Sequence, residues 1–226
     1  MLYIVTTPIG NLDDLSLRQA KTLATSDIIL AEDTRSAFTL LEAIKKRFTF
    51  PVTCTSVWSY YKEKEFEKLP EIIDLLKQDK NISIISDAGT PLISDPGFLL
   101  VKTTIKKNLP ITVIPGPSAV ITALTASGFE PKKFMYFGFL PKKTNQIVKL
   151  INKLDSVKKI FPDMIFVFYE SPLRIKETLK CFSTLEWNPE IVICREMTKK
   201  FEEIIRGNIN DLMKRDYKGE ITVLIK

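Results

Sequence analysis

Short runs of aliphatic and β-branched residues recur along this chain, with amphipathic segments of helical period between them. Residues 2–6 (LYIVT), 27–31 (DIILA), 82–86 (ISIIS) and 111–114 (ITVI) are such runs, and 52–55 is a possible further one. A strand with one wet face alternates apolar and polar residues. A strand that is apolar throughout must be covered on both faces, which a parallel sheet flanked by helices provides. Residues 15–25, 36–47, 63–78 and 98–107 carry the helical pattern in between. The first half therefore reads as an α/β domain with a mostly parallel sheet.

The pattern changes after Pro115-Gly116-Pro117. Residues 118–127, 145–158 and 173–182 read as helices, and 134–139 (FMYFGF), 164–169 (MIFVFY), 191–195, 201–206 and 220–225 as strands. Strands that follow one another this closely predict a mixed sheet with antiparallel pairs. A length of 226 residues accommodates two domains, and the boundary is placed at this turn: an N-terminal α/β domain over 1–116 and a C-terminal α/β domain with a mixed sheet over 117–226. Phe134, Tyr136, Phe137 and Phe139 are read as core, because aromatics on both faces of a strand are usually buried. The uncharged stretch 108–129 has the length of a membrane span, but Pro110, Pro115, Gly116 and Pro117 interrupt it, so it reads as strand, turn and helix. The N-terminus has neither a basic leader region nor a small-residue cleavage site. A soluble, cytoplasmic protein is expected.

Composition removes many chemistries. The chain has no histidine, which excludes Ser-His-Asp and Cys-His nucleophile systems, imidazole bases and histidine metal sites. Cys54, Cys181 and Cys194 are too few and too dispersed for a disulfide framework and are read as reduced thiols. Neither G-x-G-x-x-G nor G-x-x-x-x-G-K-[ST] occurs. No metal cluster stands out, and no metal is expected. Thirty-three basic against 27 acidic residues leave a net charge of +6, compatible with a polyanionic partner.

Ligands in open α/β sheets bind beyond the carboxyl ends of the strands. The segments to inspect are thus Pro8–Asp14, Glu32–Arg35, Asp87–Gly97, Pro115–Ser118 and Glu170–Arg174. Individually their residues have ordinary explanations: Asp13, Asp14, Ser118 and Ser171 suit helix caps, and Gly and Pro suit turns. The coincidence of five polar loops at one predicted sheet edge favours a site.

These segments, TPIGNLDDLSLR, LAEDTR, SDAGTPLISDPG, PGPSAVITALTASG, GFLPKK, FYESPLR and REMTK in this order, resemble one family across nearly the whole chain: the bacterial small-subunit ribosomal RNA cytidine 2′-O-methyltransferases, within the tetrapyrrole-methylase superfamily. The resemblance implies two α/β domains with S-adenosylmethionine bound in the cleft between them, and a homodimer. It places the methyl donor against Pro8, Asp87, Ala88, Gly89, Thr90, Pro91, Ile93, Ser118, Ala119, Tyr169, Glu170 and Met197. Asn11, Glu32, Asp33, Arg35 and Arg174 would border the target ribose. Where the family carries histidines, this chain has Ser36, Tyr61, Glu63 and Leu173 within the corresponding segments.

Methyl transfer to a ribose hydroxyl needs collinear positioning and a proton acceptor. Without histidine, the candidates are the Glu32/Asp33 pair, with Arg35 holding a phosphate or lowering the hydroxyl pKa; a helix cap at Asp33 paired to Arg35 is the structural alternative. Lys142 and Lys143, and Lys132 and Lys133, are candidate phosphate contacts, whereas Lys158-Lys159 and Lys199-Lys200 read as solvated surface. The competing function classes are a methylase of a tetrapyrrole or another small molecule on the same fold, and a non-catalytic RNA-binding assembly factor.

Overall fold

A computed structural model describes residues 1–54 and 56–226. The chain divides into two compact units, Met1–Ser118 and Ala119–Lys226.

The first unit contains β1 (Leu2–Val5), α1 (Leu17–Thr25), β2 (Ile28–Ala31), α2 (Thr34–Arg47), β3 (Ser56–Ser59), α3 (Lys62–Lys77), β4 (Ile82–Ile84), α4 (Phe98–Lys106) and β5 (Ile111–Ile114). The strands form one sheet in the order β3-β2-β4-β1-β5, with every pairing parallel. Alternate residues divide between two cores, which is why the strands are apolar throughout. Val5, Ile29, Ala31 and Ile114 pack with Leu23 of α1 and with Leu40 and Ile44 of α2. Leu2, Ile4, Ile28, Leu30 and Ile84 pack with Ile72 and Leu76 of α3 and Leu100 of α4.

The direction of winding decides which helix covers which face. Right-handed crossovers put α1 and α2 on one face as the chain moves from β1 outward to β3, and α3 and α4 on the other as it returns through β4 to β5. The adjacent strands β1 and β4 therefore send their connections in opposite directions over opposite faces. Their carboxyl ends open a crevice at this switch of direction.

The second unit contains α5 (Ala119–Ser127), β6 (Phe134–Phe139), α6 (Thr144–Ile160), β7 (Ile165–Glu170), α7 (Ile175–Phe182), β8 (Ile191–Arg195), β9 (Glu203–Gly207), α8 (Ile209–Met213) and β10 (Ile221–Ile225). Its sheet runs β6-β7-β10-β8-β9 and is mixed: β6 and β7 are parallel and the remaining pairs antiparallel. Phe166, Phe168, Ile193 and Val223 face Ile147 and Ile151 of α6 and Leu179 and Phe182 of α7. Helix α5 packs against β8, β9 and β10. Cys181 and Cys194 are buried free thiols and Cys54 is half-buried.

Four expectations are corrected. Of the possible strand at 52–55, Thr55 lies outside the described residues. The amides of Thr53 and Cys54 both donate to the carbonyl of Ala24 at the end of α1, at 2.8 and 3.0 Å, and the strand is β3, beginning at Ser56. The aromatics of β6 are not core: β6 is an edge strand, and Phe134, Phe137 and Phe139 are exposed while Tyr136 is half-buried. Lys199 is not simply solvated, since its Nζ bridges Glu196 at 3.1 Å and Glu220 at 2.9 Å. Lys158 is half-buried with its ammonium 4.6 Å from the centre of the Trp187 ring. Two short elements, α8 and a 3-10 turn at Leu12–Asp14, had no periodic signal to announce them. No helix of the described residues is long and apolar enough to cross a membrane.

The turn that ends the first unit is locked to its sheet. The Gln19 amide donates to the carbonyl and hydroxyl of Thr6, at 2.8 and 2.7 Å, and the Thr6 hydroxyl donates to the carbonyl of Ile114 at 3.0 Å. Gly116 lies over this network so closely that a Cβ there would come within 2.1 Å of Gln19 Nε2 and 2.3 Å of Thr6 Oγ1. Gly116→Ala must displace buried, hydrogen-bonded groups and is expected to cost about 2 kcal/mol or more. Thermal denaturation should show a midpoint lower by roughly 4–8 °C at this chain length; an unchanged midpoint would mean that the turn is not held in this way.

Candidate functional site

The crevice in the first unit is built from loops bonded to one another. Beyond β1, Thr7 and Gly89 exchange backbone hydrogen bonds of 2.8 and 3.1 Å, an isolated antiparallel bridge between the loops that follow β1 and β4. The Thr7 hydroxyl donates to the carbonyl of Ser86 at 3.1 Å, and the Thr90 hydroxyl to the carbonyl of Pro117 at 3.3 Å. The loops after β1, β4 and β5 are thus one hydrogen-bonded assembly. Gly89 has φ +82°, and a Cβ there would press on Ile9 at 3.2 Å. Leu92 and Ser94 also take left-handed conformations, with φ of 71° and 73°. Non-glycine residues in this region cost about 1–3 kcal/mol each and mark segments held in place by their surroundings.

Within this assembly Pro8, Gly89 and Pro91 are buried, Thr90 and Ser118 are half-buried, and Asp87, Ala88 and Ile93 are exposed. The loop thereby offers solvent the peptide and side chains at its turn, while its glycine and prolines hold the shape.

Glu32, Asp33 and Arg35 follow β2, beside β4. Their environments separate their roles. Asp33 caps α2, accepting from the Arg35 amide at 2.8 Å, and its carboxylate is gripped by the Arg35 guanidinium at 3.0, 3.1 and 2.6 Å. The guanidinium, followed by the Arg35 amide, holds Asp33 down at about 2. Glu32 is displaced the other way, above the ordinary carboxylate range, first by partial shielding from water and then by the charges of Asp87 and Glu63. A third carboxyl, Asp95, is half-buried and raised to about 6, first by burial and then by the charge of Glu32, with Asp87 adding to it against an opposing bond from Ser86. The crevice is therefore acidic, and its carboxylates disfavour one another's ionisation. Asp95 was not singled out from the sequence, although the repeat of Ser-Asp at 86–87 and 94–95 marks it.

Asn11 sits on the loop beyond β1. Its side chain accepts from the Asp13 amide at 3.0 Å and caps the 3-10 turn, while Asp13 pairs with Arg47 of α2. From α3, Glu65 accepts from the amides of Leu99 and Leu100 at 2.8 and 3.3 Å, capping the helix that leaves this loop. No group of three or more Asp, Glu, Cys or His side chains is arranged to hold a metal among the described residues.

In the second unit, Ala119 opens α5, and Tyr169 and Glu170 end β7. Glu170 is buried and accepts from the Ser171 amide at 2.6 Å, the Thr178 hydroxyl at 2.6 Å and Arg174 at 2.5 Å. Arg174 also donates to the carbonyls of Leu140 and Pro141, at 3.3 and 3.1 Å. Its guanidinium braces the loop after β6 to the end of β7. Met197 is buried between Glu196 and Thr198, both left-handed with φ of 49° and 66°. Lys142 is exposed just before α6.

Comparison with known proteins places this geometry. Residues 1–213 match the model of the Tetrapyrrole (Corrin/Porphyrin) Methylases. The chain is 39% identical to a protein of Hydrogenobaculum sp. named ribosomal RNA small subunit methyltransferase I, over 99% of this chain and 94% of that one. The protein of the same name from Thermotoga maritima is 40% identical, over 99% of this chain and 97% of its own. A Streptococcus pyogenes relative of that name is also 40% identical, and the chain covers 75% of its length. Among solved structures, the methyltransferase CobJ has a TM-score of 0.70 at 16% identity, covering 99% of this chain and 92% of that one. Diphthine synthase has a TM-score of 0.74 at 12% identity, covering 99% and 88%; at such identities the likeness is one of fold. A parallel sheet with a loop crevice at its switch of direction, a mixed second sheet and these full-length identities lead to one conclusion: the chain belongs to the tetrapyrrole methylase family and, within it, to the methyltransferases that share the name ribosomal RNA small subunit methyltransferase I.

Proposed function

We propose that this protein transfers the methyl group of S-adenosylmethionine to the 2′-hydroxyl of a cytidine ribose in the RNA of the small ribosomal subunit, acting in the cytoplasm where that subunit is made. The observation that carries the reading is the acidic crevice of a chain whose relatives are named for methylating this RNA. Glu32, Asp87 and Asp95 form a set of carboxylates that gain from a nearby cation, and a sulfonium is a cation that requires no tight ring of ligands. The residues present therefore fit the donor.

In this reading Asp87, Ala88, Gly89, Thr90, Pro91 and Ile93, with Pro8, form the platform for the donor. Ser118, Ala119, Tyr169, Glu170 and Met197 complete the set. When bound, the donor supplies an electrophilic methyl group. The interlocked loops offer a surface with little left to order on binding, which favours affinity and alignment. Glu170 acts through its buried bonds to Arg174 and Thr178 rather than as an exposed ligand.

The carboxylate at Glu32 takes the proton of the ribose hydroxyl. It is the stronger base of the adjacent pair, since Asp33 is held near 2 by Arg35 and binds a proton poorly at any physiological pH. Asp33 instead fixes the start of α2 and the direction of Arg35, whose side chain is 88% exposed and is available to an RNA phosphate. Lys142 offers a second cation on the other unit, and Asn11 shapes the loop beyond β1 by its cap.

The activity is tested by transfer of radiolabelled methyl from S-adenosylmethionine to small subunits purified from a strain lacking this protein. Label is expected in 2′-O-methylcytidine; its absence with active donor binding would contradict the assignment. The division of labour within the acidic pair is tested by kinetics. Glu32→Gln is expected to lower kcat by about 10²–10⁴-fold. Asp33→Asn, which keeps a good helix cap, should stay within about tenfold of the parent. Equal losses in both variants would contradict the assignment of the base to Glu32.

A further inference from the structure

The edge strand β6 departs from regular pairing. It runs in register with β7 from Phe134↔Ile165 to Tyr136↔Val167, after which Phe139, not Gly138, stands opposite Tyr169. The extra residue is a bulge at Gly138, whose φ is +69°. Phe137, next in the regular register, stacks on Phe168 with centroids 5.3 Å apart, and the bulge brings Phe139 to Tyr169, which it meets edge-on at 5.4 Å. Both rings remain open to solvent in part, with Phe137 37% and Phe139 62% exposed.

Beside these rings runs the outer face of α6. Gln146, Lys149 and Lys153 recur at the spacing of one helix face, opposite the buried Ile147, Ile151 and Leu154. With Phe137, Phe139 and Pro141 they line a groove of about 270 Å³. Lys142 and Lys143 directly precede α6, and none of these four lysines forms an ion pair among the described residues. The groove is continuous with residues assigned above: the Leu140 amide donates to the carbonyl of Tyr169 at 3.2 Å, and Arg174 ties Pro141 to Glu170.

We propose that this groove binds a single-stranded segment of the RNA substrate, with bases stacked on Phe137 and Phe139 and phosphates against Lys149 and Lys153. The inference rests on the RNA methyltransferase reading and adds to it the surface that grips the strand. Exposed aromatic faces bordered by a row of cations are what sequence-tolerant recognition of unpaired nucleotides requires. Charge favours this occupant over a second copy of the chain, because a two-fold interface here would bring the lysine rows together.

The test uses the full chain, a fluorescein-labelled single-stranded RNA of about 12 nucleotides and a salt titration. Lys149→Glu/Lys153→Glu should bind at least tenfold more weakly, and the slope of log K against log salt should become shallower by about 1.4 for two lost phosphate contacts. Phe139→Ala should bind at least about fivefold more weakly with the slope unchanged, since a stacked base releases no counterion. Calorimetry should show S-adenosylmethionine affinity unaltered in the charge-reversed variant, and circular dichroism should show the parent's fold in both. RNA affinity and slope equal to the parent would overturn the proposal, as would a change in sedimentation with RNA affinity retained, which would make the groove a contact between copies. If the parent binds RNA through the groove but transfers no methyl to small subunits, the groove stands and the assigned activity fails. If the parent methylates subunits and the charge-reversed variant keeps the same KM for them, the activity stands and the groove fails.

Discussion

Everything assigned to the first unit depends on one reversal in the winding of its sheet. β1 sends its connection over one face toward β2, and its neighbour β4 sends its connection over the other face toward β5. Two loops leaving in opposite directions cannot cover the ends of their own strands, so a crevice opens there. The mutual hydrogen bonds of Thr7 and Gly89 then fasten the two loops across it. The Gln19–Thr6–Ile114 chain fastens the third, with Gly116 pressed against it.

That rigid frame sets the electrostatics. Carboxylates spread through solvent would ionise independently. Glu32, just past β2, and Asp95, in the long loop between β4 and α4, are partly withdrawn from water; Glu32 then meets the charges of Asp87 and Glu63, and Asp95 those of Glu32 and Asp87, so both bind protons more readily than usual. Asp33, one residue from Glu32, is turned into a cap and paired with Arg35. Adjacent acids thus acquire opposite shifts from geometry alone, Glu32 becoming the stronger base of the two and Asp33 the weaker. The same framing accounts for the second unit, where Arg174 and Glu170 serve as a brace that holds the loop of Leu140 and Pro141 to the end of β7.

Much of this was legible in the sequence. The uniformly apolar runs announced the parallel sheet because a strand covered on both faces has no polar position to spare, and the Pro-Gly-Pro turn announced the change of architecture. The loops of the candidate site stand out in the sequence because they follow strands. What escaped depended on contacts distant in sequence. The third strand was displaced because Thr53 and Cys54 bond to Ala24 instead of joining the sheet. The β6 aromatics read as core because their pattern does not reveal that β6 lies at an edge and bulges at Gly138. Asp95 gained its character first from burial and then from the charges of Glu32 and Asp87, surroundings that only the fold creates.

In the proposed reaction the acidic crevice favours a cationic donor over an uncharged analogue of the same shape. Calorimetric affinities of S-adenosylmethionine and of S-adenosylhomocysteine, whose sulfur is uncharged, at pH 7.5 and pH 5 measure that preference. Asp95, raised to about 6, is ionised at the higher pH and protonated at the lower. The charged donor is expected to lose about fivefold to tenfold in affinity on acidification, the order of one unit charge's attraction through largely solvated surroundings, while S-adenosylhomocysteine changes little. Equal pH dependence for the two, or none for either, would contradict that preference.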